Sequence, residues 1–207
     1  MNFAHSLARA LLPLTLAAMV SAAAPAATPG DLKAVEASLG ATQSMTANFV
    51  QTDRKGQRLS GTLTLKRPGK IRFAYGGGVN ALLVADGKTL HYLDYDVAQH
   101  SKWAIGSSPL AVLLSPNPDL ARIARLLPSE SPQVVVVRAR DARRPEFGTL
   151  VLAFLRSSGA PGGLRLEGWT AIDAQNKKTT VRLSNQRYNV AIPDSAFGFT
   201  EPKRKKA

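Results

Sequence analysis

Leu59-Ser60-Gly61-Thr62-Leu63-Thr64-Leu65-Lys66-Arg67-Pro68-Gly69-Lys70-Ile71-Arg72-Phe73-Ala74-Tyr75 is the stretch whose reading decides the fold. Leu59, Gly61, Leu63 and Leu65 recur at every second position, which puts them on one side of an extended strand. Arg67-Pro68-Gly69-Lys70 then brings a residue of fixed φ and one that tolerates positive φ, as a tight turn requires. Ile71, Phe73 and Tyr75 resume the alternation at once. Two antiparallel strands with a shared apolar face follow from these residues alone.

The same pattern extends outward in both directions. Upstream, Lys55-Gly56 marks a turn, and Met45, Ala47 and Phe49 alternate from Ser44 onward. Downstream, Gly76-Gly77-Gly78 breaks the chain before a strand at Ala81 to Ala85. Asp86-Gly87 reads as a hairpin turn, and Leu90 and Tyr92 alternate on the way back. The result is an up-and-down antiparallel meander. Ahead of it, Asp31 caps a short amphipathic helix carrying Leu32, Val35 and Leu39 that ends at Gly40.

After the meander the period lengthens. Ser108 can cap a helix that starts at Pro109, carries Leu110, Val112, Leu113 and Leu114, and is stopped by Pro116 and Pro118. A second helical segment is expected from Asp119, with Leu120, Ile123, Leu126 and Leu127, closed by Pro128. Strands are expected again over Val134 to Arg138, Thr149 to Leu155, Leu164 to Ile172 and Thr179 to Asn185. There is no internal repeat, so residues 28–200 are expected to form one domain, followed by a basic tail at 201–207.

Residues 1–27 read as a cleaved signal peptide. Arg9 supplies the positive charge, Leu11 to Val20 the apolar run, and Val20-Ser21-Ala22 or Ala24-Pro25-Ala26 the small-residue cleavage site. The 207-residue chain contains no cysteine, so it holds no disulfide and cannot be acylated on a cysteine as a bacterial lipoprotein is. The 27 Lys and Arg against 14 Asp and Glu give a formal charge of +13. In an exported protein this balance points to a solvated, attractive surface or an anionic partner, with no nucleic acid involved. His91 and His100 are the only histidines after the signal segment. With no cysteine, nucleophile elbow or zinc motif, the chain offers no case for an enzyme, a metal or a cofactor.

A long meander has one apolar face, and only three short helical pieces are available to cover it. The motifs along the chain strongly resemble those of the outer-membrane lipoprotein carrier protein family, LolA. They are Asn48-Phe49-Val50-Gln51, Gly61-Thr62-Leu63, Arg67-Pro68-Gly69-Lys70-Ile71-Arg72-Phe73, Asp86-Gly87-Lys88-Thr89-Leu90, Asp96 with Gln99, and Ile192-Pro193-Asp194-Ser195-Ala196-Phe197-Gly198-Phe199, in that order. The resemblance implies a mainly β protein, an incomplete, half-open antiparallel barrel with short α-helices forming a lid over an apolar cavity. It further implies a monomeric periplasmic chaperone that takes acylated lipoproteins released by an inner-membrane ABC transporter to an outer-membrane lipoprotein acceptor, without covalent chemistry.

On the family motif Arg67 takes the place of an arginine that locks the lid by hydrogen bonding to backbone carbonyls, with Arg72 as a weaker substitute. Cargo contacts are expected from Phe49, Leu63, Leu65, Ile71, Phe73, Tyr75, Leu83, Leu90 and Tyr92 on the sheet, and from Leu110, Leu113 and Leu114 on the lid. Each could equally be a plain core position. Ile71 departs from the aromatic that many family members carry. Phe197 and Phe199 read as core closure. A lipid-binding sensor, or a carrier of another amphiphile, is the competing reading.

Overall fold

The structure, a computed structural model, describes residues 29–116 and 119–203. The signal segment and the last four residues of the basic tail lie outside this range. Eleven antiparallel strands form one sheet: β1 (Ser44–Thr52), β2 (Arg58–Lys66), β3 (Lys70–Tyr75), β4 (Ala81–Asp86), β5 (Thr89–Asp94), β6 (Gln99–Ala104), β7 (Ala124–Leu127), β8 (Val134–Ala139), β9 (Thr149–Arg156), β10 (Leu164–Ile172) and β11 (Lys178–Tyr188). Their spatial order is β6-β5-β4-β3-β2-β1-β11-β10-β9-β8-β7. Each strand therefore pairs with a sequence neighbour except where β1 meets β11, and the two edges, β6 and β7, do not join. The barrel is incomplete, as expected.

Register follows from the alternation. Met45, Ala47 and Phe49 lie opposite Leu65, Leu63 and Gly61, and Leu65 and Leu63 lie opposite Ile71 and Phe73, so one face collects the apolar side chains of successive strands. Bulges interrupt β1 against β11 between Thr46 and Asn48, and β9 against β10 between Leu166 and Gly168; such insertions bend a strand and increase its twist. Gly168 has φ 152°, and a Cβ there would lie 2.1 Å from the Val181 carbonyl oxygen, so this bend needs glycine.

Among the described residues three α-helices accompany the sheet: α1 (Pro29–Ala41), α2 (Ala111–Leu114) and α3 (Leu120–Ile123). Val35 and Leu39 of α1, Leu113 and Leu114 of α2 and Leu120 of α3 join one buried cluster with the inward residues of the sheet. The chain between β6 and β7, which contains α2 and α3, thus leads from one edge of the sheet to the other across the face that α1 also covers.

Several expectations need correction. The helical segment expected to reach Leu127 ends at Ile123; Leu126 and Leu127 belong to β7, opposite Val137 and Val136 of β8. A short apolar run does not distinguish helix from strand, and here the partner strand's hydrogen bonds decide. Gln99–Ala104 forms an edge strand that the sequence reading omits, because it lacks apolar alternation. Asp31 lies inside the first turn of α1, where its carboxylate pairs with Arg156. The Ser108 hydroxyl does accept the Leu110 amide proton at 3.2 Å, although regular helix starts at Ala111.

A lid held by a buried arginine

Arg67 stands at the end of β2, where the strand leaves the sheet for the Pro68-Gly69 turn. Only 6% of it is exposed. Its Nε and Nη2 donate to the Leu113 carbonyl oxygen of α2 at 2.9 and 2.8 Å, and its Nη1 donates to the Thr42 carbonyl just beyond α1 at 2.7 Å. A planar fork with several donors can reach both oxygens at once; a lysine ammonium has no such fork. Backbone bonds reinforce the junction, since the Arg67 amide donates to Gln43 O at 2.8 Å and the Gly69 amide to Leu114 O at 3.0 Å. Gly69 has φ 75°, the positive value expected of that turn. The arginine therefore joins the sheet, the end of α1 and α2 at one point. Burial disfavours its charged form and lowers its pKa to about 10, so the guanidinium stays protonated at neutral pH.

The face beneath the lid is hydrocarbon. Phe49, Leu63, Leu65, Ile71, Phe73, Leu90, Leu110, Leu113 and Leu114 are all buried members of a single cluster. Tyr75 and Leu83 pack against that cluster while keeping partial exposure. Tyr92 is half-buried and sits across from Leu83 in the pairing of β4 with β5. The space that the sequence reading places between sheet and lid holds the protein's own Leu110, Leu113 and Leu114.

An aromatic chain runs along this face. Phe49 meets Phe73 edge to face with centroids 5.1 Å apart, and Tyr75 at 5.4 Å. Phe73 meets Trp169 at 6.0 Å. Tyr75 ends the chain, its hydroxyl donating to Gln51 Oε1 at 3.0 Å. Burial, with Tyr92 nearby, pushes the Tyr75 phenol up to about 12, so it remains a neutral donor.

The sequence reading misses half of the surface. Leu152, Phe154, Trp169 and Val181 come from β9, β10 and β11 and are buried in the same cluster as Phe73. Their alternation is visible in the chain, but that β11 lies beside β1 is not. The acceptors of the Arg67 bonds are backbone oxygens, which no side-chain pattern reveals. Arg72 plays no part in the lid: it projects from the other face of β3 and donates to Gly198 O at 2.8 Å. Phe197 fills a second, smaller cluster on that outer face with Leu82, Val84 and Leu93, and Phe199 packs against it. Two surface clefts flank Arg67. One of about 540 Å³ is lined by Lys66, Pro68, Lys70, Lys88, Asp86 and Asp194; the other, of about 740 Å³, by Gln43, Ser44, Asn189 and the chain leading to Pro193.

A family model described as outer membrane lipoprotein carrier protein LolA matches residues 40–200, a span that encloses every strand, α2, α3 and Arg67. The chain belongs to the LolA family. It is 31% identical over 199 residues to the outer-membrane lipoprotein carrier protein of Chromobacterium violaceum, covering 92% of this chain and 93% of that one. The outer-membrane lipoprotein carrier protein of Dechloromonas aromatica is 32% identical over 170 residues, covering 78% of this chain and 79% of that one. Among solved structures, a DUF1329 family protein from Desulfovibrio piger superposes with a TM-score of 0.53 at 10% identity, covering 84% of this chain and 98% of its own, and so shares the fold. Arg67 and the lid of this LolA-family chain thus lie within the span that identifies it.

Proposed function

We propose that this protein is a lipoprotein carrier that takes the acyl chains of its cargo between the concave sheet face and the α2 lid. The observation that carries the reading is a largely apolar sheet face covered only by short helices, of which α2, four residues long, is pinned through the buried Arg67. Hydrogen bonds from a guanidinium are directional and can be exchanged for bonds to water, so a cover fastened this way can lift without leaving its partners unmatched.

The magnitudes are compatible with a reversible exchange. One long acyl chain carries on the order of 10 kcal/mol of aversion to water, at about 0.8 kcal/mol per methylene. Lifting Leu110, Leu113 and Leu114 exposes three buried leucines, each worth roughly 1.5–3 kcal/mol. Cargo entering beneath the lid would cover the sheet residues these leucines now cover. The gain on binding is offset by the cost of opening, so the loaded carrier is held and can still discharge. On this reading Phe49, Leu63, Leu65, Ile71, Phe73, Tyr75, Leu83, Leu90 and Tyr92 touch cargo from the sheet.

Family membership supports the rest of the route: a periplasmic, monomeric carrier, loaded by an inner-membrane ABC transporter and unloaded by an outer-membrane acceptor. The test uses spheroplasts bearing a labelled lipoprotein. Added purified protein should bring the label into the supernatant as a complex with itself. Label that remains on the membrane with the carrier present would overturn the proposal.

A further inference from the structure

Beyond β11 the chain turns back along the convex face of the sheet as an arm, residues 189–203. Phe197 inserts among Leu82, Val84 and Leu93. Asp194 takes Lys66 and Lys70 at 2.7 and 2.9 Å. Farther along, Tyr95 donates to Thr200 O at 3.0 Å, and Glu201 reaches His100, one of the two histidines outside the signal segment.

Those histidines form a chain of contacts. His91 Nε2 faces Asp86 Oδ2 at 3.3 Å, His91 Nδ1 faces His100 Nε2 at 2.9 Å, and His100 Nδ1 faces Glu201 Oε2 at 2.9 Å. Phe199 of the arm packs on both rings, with centroids 4.7 and 5.7 Å away. Ionised carboxylates only accept, so both outer nitrogens must carry protons. Two neutral imidazoles so arranged would turn bare lone pairs toward each other across the central contact. One further proton completes every bond; a second would set two N–H groups face to face.

We propose that His91, His100 and Glu201 form a one-proton clasp that fastens the C-terminal arm to the convex face and loosens when that proton is lost. The surrounding charges fit a single added proton. Asp86, at the end of β4, and Glu201, on the arm, favour the first. Asp86 stays ionised because amide bonds from Thr89 and Lys88 and the bond from His91 outweigh its burial. Lys102 lies directly across from His91 on β6, and Arg72 lies one strand beyond Val84 in the same row. Both oppose a second. With the arm released, Glu201 departs and the pair can rest neutral, so the fastened state holds one proton more. By linkage the fastened fraction rises as pH falls from alkaline toward neutral, by at most tenfold per pH unit, and falls again when a second proton arrives or Glu201 is neutralised.

Hydrogen exchange of the purified full-length chain tests this. Protection of the Ala196 and Gly198 amides, corrected for the intrinsic effect of pH, should fall at least fivefold between pH 6.5 and 8.5, while amides of β1 and β11 stay constant. His100→Phe keeps the ring packing but removes the proton, and should leave the arm weakly protected and insensitive to pH. Glu201→Gln should keep the arm protected without the pH slope, since its amide can donate to His100 Nδ1 and every bond then closes with neutral rings. A flat wild-type profile, or the same slope persisting in either variant, would overturn the clasp.

Discussion

Replacing Arg67 with leucine keeps an apolar stem of similar shape and removes all three side-chain hydrogen bonds of the lock. In the closed arrangement the Leu113 and Thr42 carbonyl oxygens then lose the guanidinium beside them, and a buried acceptor left unmatched costs about 1–3 kcal/mol. For the two oxygens the closed lid loses about 2–6 kcal/mol, because in the open arrangement both are free to bond to water. Even the low end lowers the ratio of closed to open by about 30-fold. Exchange of the Leu113, Leu114 and Ser115 amides, which bond within α2 to Leu110 and Ala111, should accelerate by at least that factor while the strands of the central sheet stay protected. Closing of the empty lid would no longer favour expulsion of cargo. The variant should therefore accept a labelled lipoprotein and pass it on to the acceptor poorly. Lid exchange within a few-fold of wild type, or normal onward transfer, would refute the reasoning that Arg67 supplies the closing energy.

Three further outcomes follow from individual side chains. Ile71 is fully buried in the main cluster, so Ile71→Glu places a carboxylate in hydrocarbon, should lower the melting temperature most at high pH where it is charged, and should impair delivery; unchanged stability and transfer would place residue 71 outside the apolar face. A Cβ on Gly61 would lie 2.0 Å from the Ala74 carbonyl oxygen of the neighbouring strand, so Gly61→Ala should cost about 1–3 kcal/mol or more in urea unfolding, and a neutral result would mean the β2–β3 pairing can shift to accept it. Hydrogen bonds and attraction from Lys66 and Lys70 lower the Asp194 pKa to about 2; a depressed folded value gives stability that is present above the unfolded range near 3.9 and is lost as pH falls through about 2. The stability difference between wild type and Asp194→Asn should thus be constant near neutrality and vanish in strong acid, and a difference that persists at pH 1.5 would show that charge is not its origin.

Where residues act through their immediate neighbours in sequence, the chain is legible. Alternation at Leu63-Leu65 and Ile71-Phe73, and the Pro68-Gly69 turn between them, require nothing beyond local sterics and burial. The motif in which Arg67 stands singles that residue out, and the structure places its guanidinium on the Leu113 and Thr42 carbonyls. Where the chain is ambiguous, distant partners settle the outcome. Leu126 and Leu127 are strand because β8 offers them hydrogen bonds. Gln99–Ala104 is strand although no apolar period marks it, because β5 is beside it.

The sequence by itself determined an antiparallel meander with one greasy face and the turns between its strands, since period and turn chemistry are properties of residues a few positions apart. Only the tertiary structure decided that β1 closes on β11, that Arg67 bonds to Leu113 and Thr42 while Arg72 faces away, and that the arm meets His100. Such facts depend on groups brought together across as many as 148 positions, as where the Asn189 amide donates to the Ala41 carbonyl. Contacts over such separations are chosen by the energy of the whole assembled sheet, which no local pattern records.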